Sequence, residues 1–292
     1  MNKRIFDITS VDIANMSRSD VVESIRRSEG RTLMVENVVT FNPPYDVVSG
    51  AEIAAAFGAD LITLNGFDVC YPGVVVTDEG TKAVRIETIK KYTGRLLGCN
   101  LEPVDQDIYD IPYGRTVSYQ NVERAIELGL DYIMITGNPG YGVTQEAILE
   151  AIKVVRDVSA DILIIAGKMH GGGAGNDYNL GIVQKFADAG ADIVMFPAPY
   201  TTPGVTPELA TEMMKAAHQA GLLGLLAMGT SQETACESYI ETVAMASKAA
   251  GADIVHIGDA GAGGIACPEN IMRMGITIRG RRHQYKRMAN RR

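Results

Sequence analysis

The chain alternates between short apolar runs and longer segments whose apolar residues recur at helical spacing. Five runs share one pattern, in which a small residue and an aspartate precede the apolar residues; the aspartates are Asp60, Asp131, Asp161, Asp192 and Asp253. Three of these aspartates lie 30 and 31 residues apart, and the wider intervals of 71 and 61 residues each leave room for one further unit. Apolar runs at residues 96–101 and 222–228 fill those intervals, and residues 32–36 add a run at the front.

Eight apolar runs result, each too short for a capped helix and each followed by a helical pattern. This alternation predicts a parallel sheet, and eight units predict a closed (β/α)₈ TIM barrel of the α/β class. We expect a single domain over residues 31–278, since about 250 residues is usual for such a barrel. Residues 1–30 are predicted to form an N-terminal helical extension that closes the barrel floor, and residues 279–292 a basic C-terminal tail.

The composition indicates the kind of core and the cellular environment of the protein. With 46% hydrophobic residues, 6% aromatic residues and no Trp, the chain suits a barrel interior of branched aliphatic side chains. The four cysteines include no C-x-x-C pair, so neither a zinc site nor a disulfide framework is expected, and a reducing cytoplasm is the simplest setting. No signal-peptide pattern and no apolar run of about 20 residues occurs, so we expect a soluble protein that does not enter a membrane.

A glycine-rich loop follows the eighth run, and Cys267 to Glu269 then have the pattern of a helix start. Bare backbone N–H groups at a helix N-terminus bind phosphate, and in many barrels the loops after strands seven and eight share this task. The predicted phosphate ligands are Gly229, Thr230 and Ser231 after the seventh run and Gly261, Gly263 and Gly264 after the eighth. The alternative is that these glycines only make a tight turn. The glycine spacing does not match a dinucleotide fingerprint, so no nucleotide cofactor is expected.

Polar side chains follow the predicted strands at the ends that form the catalytic face of a barrel. Four asparagines there are candidate substrate ligands: Asn37, Asn65, Asn100 and Asn138. Lys168 is the only Lys or Arg at the mouth of a predicted strand, where it could act as a base, form an imine, hold an anionic substrate or simply reach solvent. His170 lies on the same side of an extended segment, so the two could share acid–base duty.

Three carboxylates at the same rim, Glu36, Glu102 and Asp259, could hold Mg²⁺, although carboxylates are common on any polar rim. Glu102 is also a candidate catalytic residue. His256 lies within the eighth run, where a hydrogen-bonded core histidine and a catalytic histidine are equally compatible with the pattern.

Residues 45–60, together with Gly66, resemble the first βαβ unit of the phosphoenolpyruvate mutase and isocitrate lyase superfamily, whose members open with a similar Tyr-Asp, Ser and Gly pattern. The resemblance covers less than a tenth of the chain, and it implies lyase or mutase chemistry with Mg²⁺. Where that family has Asp-x-Asp, this chain has Asn100-Leu101-Glu102, and Lys168-Met169-His170 matches the family's lysine-cysteine-glycine-histidine loop only in part. The loops after the seventh and eighth runs are equally similar to those of ribulose-phosphate-binding barrels, which isomerise, epimerise or cleave sugar phosphates.

The sequence therefore predicts a metabolic enzyme of lyase, aldolase or isomerase type, acting on a small phosphorylated or carboxylated metabolite held by the loops after strands seven and eight. The alternative is a barrel without catalysis that binds a phosphorylated metabolite or serves as an assembly subunit, because one fold hosts many functions. Convergence of Lys168, His170 and the carboxylates would favour the enzyme.

The predicted tail carries seven Lys or Arg and no acid, whereas the whole chain has a net charge of −8, which leaves −15 for the first 278 residues. Opposite charges attract, so we expect the tail to dock on its own barrel or on a neighbouring copy in a homo-oligomer; a solvated terminal helix is the alternative. An acidic body repels a phosphate backbone, so nucleic-acid binding is not expected.

Overall fold

A computed structural model describes residues 3–45, 48–76, 82–171 and 179–289. The described strands are β1 (Thr32–Val38), β2 (Leu61–Asn65), β3 (Val74–Val76), β4 (Lys82–Val84), β5 (Leu96–Leu101), β6 (Tyr132–Ile135), β7 (Leu163–Gly167), β8 (Ile193–Pro197), β9 (Leu223–Met228) and β10 (Ile254–Ile257). Eight of them close into a parallel barrel in the order β1-β10-β9-β8-β7-β6-β5-β2. The predicted (β/α)₈ TIM barrel is confirmed, and β5 to β10 are its third to eighth strands.

The described helices are α1 (Ser10–Ile13), α2 (Arg18–Arg26), α3 (Gly50–Ala56), α4 (Ile86–Thr93), α5 (Tyr119–Glu127), α6 (Gln145–Val158), α7 (Ile182–Asp188), α8 (Pro207–Gln219), α9 (Glu237–Ala250) and α10 (Pro268–Met288). Several begin at a Ser or Thr whose side chain accepts a hydrogen bond from the first turn, as Ser49, Thr144 and Thr206 do. None of the described helices is both long and apolar enough to cross a membrane. Two further strands, β3 and β4, follow β2 and pair antiparallel with each other.

The repeated aspartates have a common structural role. The side chain of Asp60 accepts a hydrogen bond from Leu33 N at 2.9 Å, and Asp131, Asp192 and Asp253 do the same for Leu97, Ile164 and Gly224. Each of these four aspartates precedes one strand and hydrogen-bonds the start of the adjacent strand, so it fixes the register of a strand pair. Asp161 is exposed and bonds only locally, through its backbone N–H to Ser159.

Side chains inside the barrel are apolar from its floor upward. Met34, Ile165 and Met195 belong to this interior cluster, and Ile5 and Phe6 from the N-terminal extension join it from below. The extension therefore closes the floor. Higher in the barrel, Tyr132 crosses the interior to Thr63, with the two hydroxyls 2.9 Å apart. Gly98 allows this, because a Cβ there would overlap the ring of Tyr132.

The predicted tail is the last part of α10, which bends at Gly280, where φ is 74° and ψ is 159°. Beyond the bend the helix lies across the barrel floor. Arg279 donates to Asp60 at 2.6 Å, Arg287 donates to Ile8 O at 2.7 Å, and Lys286 pairs with Asp7. The described part of the tail, up to residue 289, thus docks on its own barrel; a role in a homo-oligomer stays a prediction.

Candidate active site at the mouth of the barrel

Polar side chains converge where the strands end. Side chains alternate along a strand, and Met34, Leu61 and Ile254 point into the barrel, so residues two and four further along also point inward. The inward polar set, together with residues of the adjoining loops, comprises Glu36, Asn65, Asn100, Glu102, Asn138, Glu233, His256 and Asp259. Most of these side chains are buried, as Glu36, Glu102 and Glu233 are at 1–2% exposure. They form an arc from β9 through β1 to the loop after β6.

Asparagine amides link the carboxylates of this arc. Asn65 Nδ2 donates to Asp259 at 2.7 Å, and Asn100 Nδ2 donates to Glu36 at 2.6 Å. The same Asn100 group lies 3.2 Å from Asn65 Oδ1, so the amides also join each other. Asn138 continues the chain with its Nδ2 3.3 Å from Asn65 Oδ1. The predicted residues Asn65, Asn100 and Asn138 are therefore brought together with two of the predicted carboxylates.

Glu102 anchors the far end of the arc. Its Oε1 accepts from Asn138 Nδ2 at 2.8 Å and from Arg115 at 2.9 Å, and its Oε2 accepts from Asn138 N at 2.8 Å. Both oxygens are thus engaged by donors of the chain, and Arg115 supplies the opposite charge. Sequence reasoning did not single out Arg115, because the candidates were taken from the ends of strands and Arg115 lies at the end of a loop. These contacts favour a role for Glu102 in holding the arc in place.

Asp259 has an altered acidity. Burial, followed by the nearby negative charge of Glu36, raises the pKa of Asp259 from 3.8 to about 7, although the hydrogen bond from Asn65 acts in the opposite direction. Two carboxylates in one site resist simultaneous ionisation. Asp259 can therefore take up or release a proton near neutral pH, which an ordinary aspartate cannot do.

His256 is fully buried in β10. Its Nε2 lies 3.2 Å from Glu36 Oε2, an ion-pair distance, yet neither ring nitrogen has an aligned hydrogen bond among the described residues. We regard the contact as electrostatic, because the angle required for a hydrogen bond is not met. A satisfied core histidine would have such bonds, so His256 belongs to the polar site.

Glu233 is a site residue that sequence reasoning missed, because it lies five residues beyond the end of β9. Burial raises the pKa of Glu233, while backbone N–H groups of Glu233 itself and Ser231 favour its charged form. The loop after β9, where the sequence predicted a phosphate, thus directs backbone donors toward a carboxylate of its own chain. The sequence signal that could have led to Glu233 is the loop just before it, whose glycine and hydroxyl groups suggested a phosphate site.

Lys168 and His170 lie at the edge of the arc. Lys168 lines a small cavity between β7, β8 and the helices α6 and α7, together with Ile148 and Phe186, which pack outside the barrel. Between Lys168 and His170, Met169 points inward and joins the interior apolar cluster. Burial, then the positive charge of Lys168, lowers the pKa of His170, and the charge of Glu36 opposes this. The catalytic roles of Lys168 and His170 stay predictions. Part of the glycine run after His170, at 172–178, lies outside the described residues.

Several predicted phosphate ligands have internal contacts. The hydroxyl of Thr230 lies 2.7 Å from Thr201 O and 2.6 Å from Gln232 Oε1, and Gly229 packs against Met169. Gly261 N donates to Asp259 O at 2.8 Å, and Gly264 N donates to Gly261 O at 3.0 Å.

The remaining glycine has a packing role as well: Gly263 has a φ of 67°, and a Cβ there would lie 2.5 Å from Pro44. The helix after this loop begins with Pro268, which has no N–H to offer an anion. The phosphate site stays a prediction.

Asn37 is the one predicted asparagine that lies apart from the arc. It follows the inward Glu36 on β1, so its side chain points outward, against Gly50 at the start of α3. Its Oδ1 is buried without a hydrogen-bond partner among the described residues. Its role as a substrate ligand stays a prediction.

The predicted metal ligands do not form a metal site by themselves. Across the described ranges, no three His, Cys, Asp or Glu side chains lie in an arrangement that could hold a metal ion. Glu36 and Asp259 interact electrostatically, whereas Glu102 is engaged by Asn138 and Arg115. The set Glu36, Glu102 and Asp259 therefore does not fit Mg²⁺, and we assign no chemical step to a metal.

The fold and the site define a (β/α)₈ barrel with a buried, carboxylate-rich polar arc at its C-terminal mouth. The chain belongs to the family described as "Domain of unknown function (DUF7916)", whose model matches residues 6–292. No curated protein matches the chain.

Solved structures share the fold at low identity. The carboxyl transferase domain of Rhizobium etli pyruvate carboxylase, with 3-bromopyruvate, is 17% identical with a TM-score of 0.55; the match covers 95% of this chain and 51% of that one. This chain thus spans about half the length of that relative. The 2,3-dimethylmalate lyase of the PEP mutase/isocitrate lyase superfamily is 17% identical, with a TM-score of 0.50 and coverage of 86% and 81%. Thiamine phosphate pyrophosphorylase from Pyrococcus furiosus is 13% identical, with a TM-score of 0.50 and coverage of 87% and 100%. The resemblance to the PEP mutase and isocitrate lyase barrels noted in the sequence is confirmed at the level of the fold.

Proposed function

We propose that the chain is a metabolic enzyme of lyase or isomerase type in which Asp259 carries a proton to or from a small carboxylated metabolite. The observation that carries this proposal is the position of Asp259, which accepts a hydrogen bond from Asn65 and whose burial, together with the charge of Glu36, raises its pKa to about 7. General acid–base catalysis is most efficient when the pKa of the proton carrier lies near the working pH. A carboxyl group with such a pKa in a barrel mouth is a candidate for catalysis, because perturbed pKa values cluster at functional sites.

The amide network gives the pair a defined geometry. Asn65 and Asn100 each donate to one carboxylate, so neither carboxylate can rotate freely when a proton moves. Asn100 Oδ1 is buried and has no hydrogen-bond partner among the described residues. Such an acceptor suits a substrate hydroxyl or enol, because an unmade buried hydrogen bond costs about 1–3 kcal/mol.

The substrate class rests on charge and on the neighbouring barrels. Lys168 is a cation at the edge of the arc, and we assign the substrate carboxylate or phosphate to it, with His170 as a neighbouring hydrogen-bonding group whose lowered pKa favours the neutral ring. Two of the neighbours are named with 2,3-dimethylmalate or 3-bromopyruvate, which are small carboxylated compounds, and this supports a carboxylated substrate over a sugar phosphate. A cytoplasmic location and a homo-oligomeric state are further parts of the proposal.

Proton exchange tests this function without knowledge of the natural substrate. Pyruvate, oxaloacetate and malate are incubated with the protein in D₂O, with and without Mg²⁺, and loss of the proton signal beside the carbonyl or carboxylate is followed by NMR. We expect exchange with the wild type and a loss of at least about 10²-fold in Asp259→Asn. Asp161→Asn, an exposed aspartate of the same sequence repeat, is the matched control. Full exchange in Asp259→Asn would exclude Asp259 as the proton carrier, and binding without exchange would favour the non-catalytic barrel.

A further inference from the structure

The side of the mouth formed by β9 and β10 holds a second titratable pair that the proposed role of Asp259 does not use. Glu233 and His256 are 1% and 0% exposed. Glu233 is held in place from its backbone, since Asn270 Nδ2 donates to Glu233 O at 2.9 Å and to Ala235 O at 2.8 Å. Gly258 makes room for the Glu233 carboxyl, because a Cβ there would lie 2.5 Å from Glu233 Oε1. The carboxyl is therefore built into the mouth.

Polar atoms of this pair lack partners. Glu233 Oε2 and both ring nitrogens of His256 are buried without a hydrogen bond among the described residues. Buried polar groups in native proteins are nearly always satisfied by protein or water, and each exception requires an explanation. His256 Nε2 faces Glu36 Oε2 at 3.2 Å, whereas Glu233 Oε2 and His256 Nδ1 have no hydrogen bond or ion pair among the described residues. These two atoms are explained by a ligand group that occupies the space when the substrate is bound.

The charges around Glu233 come from several elements. His256 of β10, Glu36 of β1 and Asp259 interact with it electrostatically. Burial, followed by the charge of Glu233, raises the pKa of Tyr239 on α9. Burial, the largest effect, raises the pKa of Glu233 and favours the protonated acid; His256 opposes this. The environment thus favours a carboxyl group that can donate a proton.

We propose that Glu233, with His256 beside it, is the second proton carrier of the mouth and serves the substrate oxygen while Asp259 serves the substrate carbon. This inference rests on the proposed function. In the enolisation of a 2-oxo acid, the C–H bond breaks and its proton passes to the Asp259 carboxylate. The electron pair forms a carbon–carbon double bond, the carbonyl electrons move to oxygen, and Glu233 gives its proton to that oxygen. After the proton on Asp259 exchanges for a solvent deuteron, the reverse step delivers this deuteron to the carbon, returns the proton on oxygen to Glu233, and restores the keto acid and the Asp259 carboxylate.

The test uses deuterium exchange into the methyl group of pyruvate, measured across a range of pH. Glu233→Gln keeps a hydrogen-bond donor but has no proton to transfer, so we expect a loss of at least about 10²-fold and a profile that lacks one ionisation. Glu233→Leu also removes the donor and should lose up to about 10⁴-fold. Glu241→Gln, which neutralises a half-exposed glutamate on α9, is the control. A wild-type profile in Glu233→Gln, or a wild-type rate in Glu233→Leu, would overturn the inference while leaving the role of Asp259 intact.

A second measurement decides the inference even if pyruvate does not exchange and the proposed function fails. The chain has four histidines, so the ring ¹⁵N signals of His256 can be assigned with His256→Gln. The chemical shifts of these signals at neutral pH should change in Glu233→Gln and remain unchanged in Glu241→Gln. Unchanged shifts in Glu233→Gln would show that Glu233 and His256 do not act as a pair, and this would refute the inference on its own.

Discussion

Replacement of Asp60 by asparagine removes the buried acid that contacts two arginines at the floor end of α10, and it leaves the more exposed pair of Lys286 and Asp7 in place. Asp60 is 1% exposed; it accepts from Arg279 at 2.6 Å and lies 2.8 Å from Arg287 Nε. Arg287 Nε has no aligned hydrogen bond, so the Arg279 contact is the stronger of the two. In Asp60→Asn both guanidinium groups stay buried without this counter-charge, which typically costs about 3–5 kcal/mol.

Urea denaturation followed by circular dichroism measures this loss. Asp161→Asn, the exposed member of the same repeat, should change the free energy of unfolding by less than about 0.5 kcal/mol. The double variant Asp60→Asn with Arg279→Met should recover part of the loss, because it removes one uncompensated charge. A loss below about 1 kcal/mol in Asp60→Asn, well under the range for a broken buried pair, would show that the floor contacts do not hold the tail.

Four further predictions follow from the same contacts. The pKa of Asp259 is raised on folding, so the wild type should lose up to about 4 kcal/mol of stability as pH rises from about 4 to 7. Asp259→Asn should not lose this stability, so its melting temperature relative to that of the wild type should rise between pH 5 and 8. Lys168→Ala should abolish exchange; borohydride trapping with pyruvate should give no adduct if Lys168 only holds the carboxylate, whereas an adduct would establish an imine. Gly263→Ala should lose about 1–3 kcal/mol in thermal unfolding because of its positive φ and its contact with Pro44, and an unchanged melting temperature would contradict this. A chain ending at Ile278 loses Arg279 and Arg287. A lower melting temperature with an unchanged mass by light scattering would show that the tail packs on the barrel floor, whereas a smaller mass would show a role in an oligomer.

The barrel could be predicted from the sequence because its signal is repeated. The small residue and aspartate before each strand mark a local requirement, the hydrogen bond from Asp60, Asp131, Asp192 or Asp253 to the neighbouring strand. The β3–β4 hairpin carries no such repeat and was not predicted.

Site residues could be predicted where the alternation of side chains along a strand determines whether a residue points into the barrel. Three such residues lie at or near the ends of their strands and at positions that point inward: Glu36, Asn65 and Asn100. Asn37 was proposed with them, but it is one residue out of phase and lies on the outer face of β1. Glu233 was missed because its position depends on how a loop folds over Gly258, and a single sequence does not show that contact.

The phosphate prediction shows the same limit. Glycines after a strand are compatible with an anion cradle and with close packing, and residue types alone do not distinguish the two. Here Gly263 meets the loop after β1, and the backbone of the loop after β9 favours the charged form of Glu233. Inorganic phosphate added to the wild type would distinguish them by the melting temperature, since a ligand at 100 times its Kd adds roughly 2.7 kcal/mol.

The most direct test of the account is the ionisation of Asp259 itself. Aspartate labelled with ¹³C at the carboxyl carbon gives one signal for each residue, and the Asp259 signal is the one lost in Asp259→Asn. The account predicts a titration midpoint of about 7. A midpoint near the ordinary value of 3.8 would contradict the proposal that this carboxyl carries a proton at neutral pH.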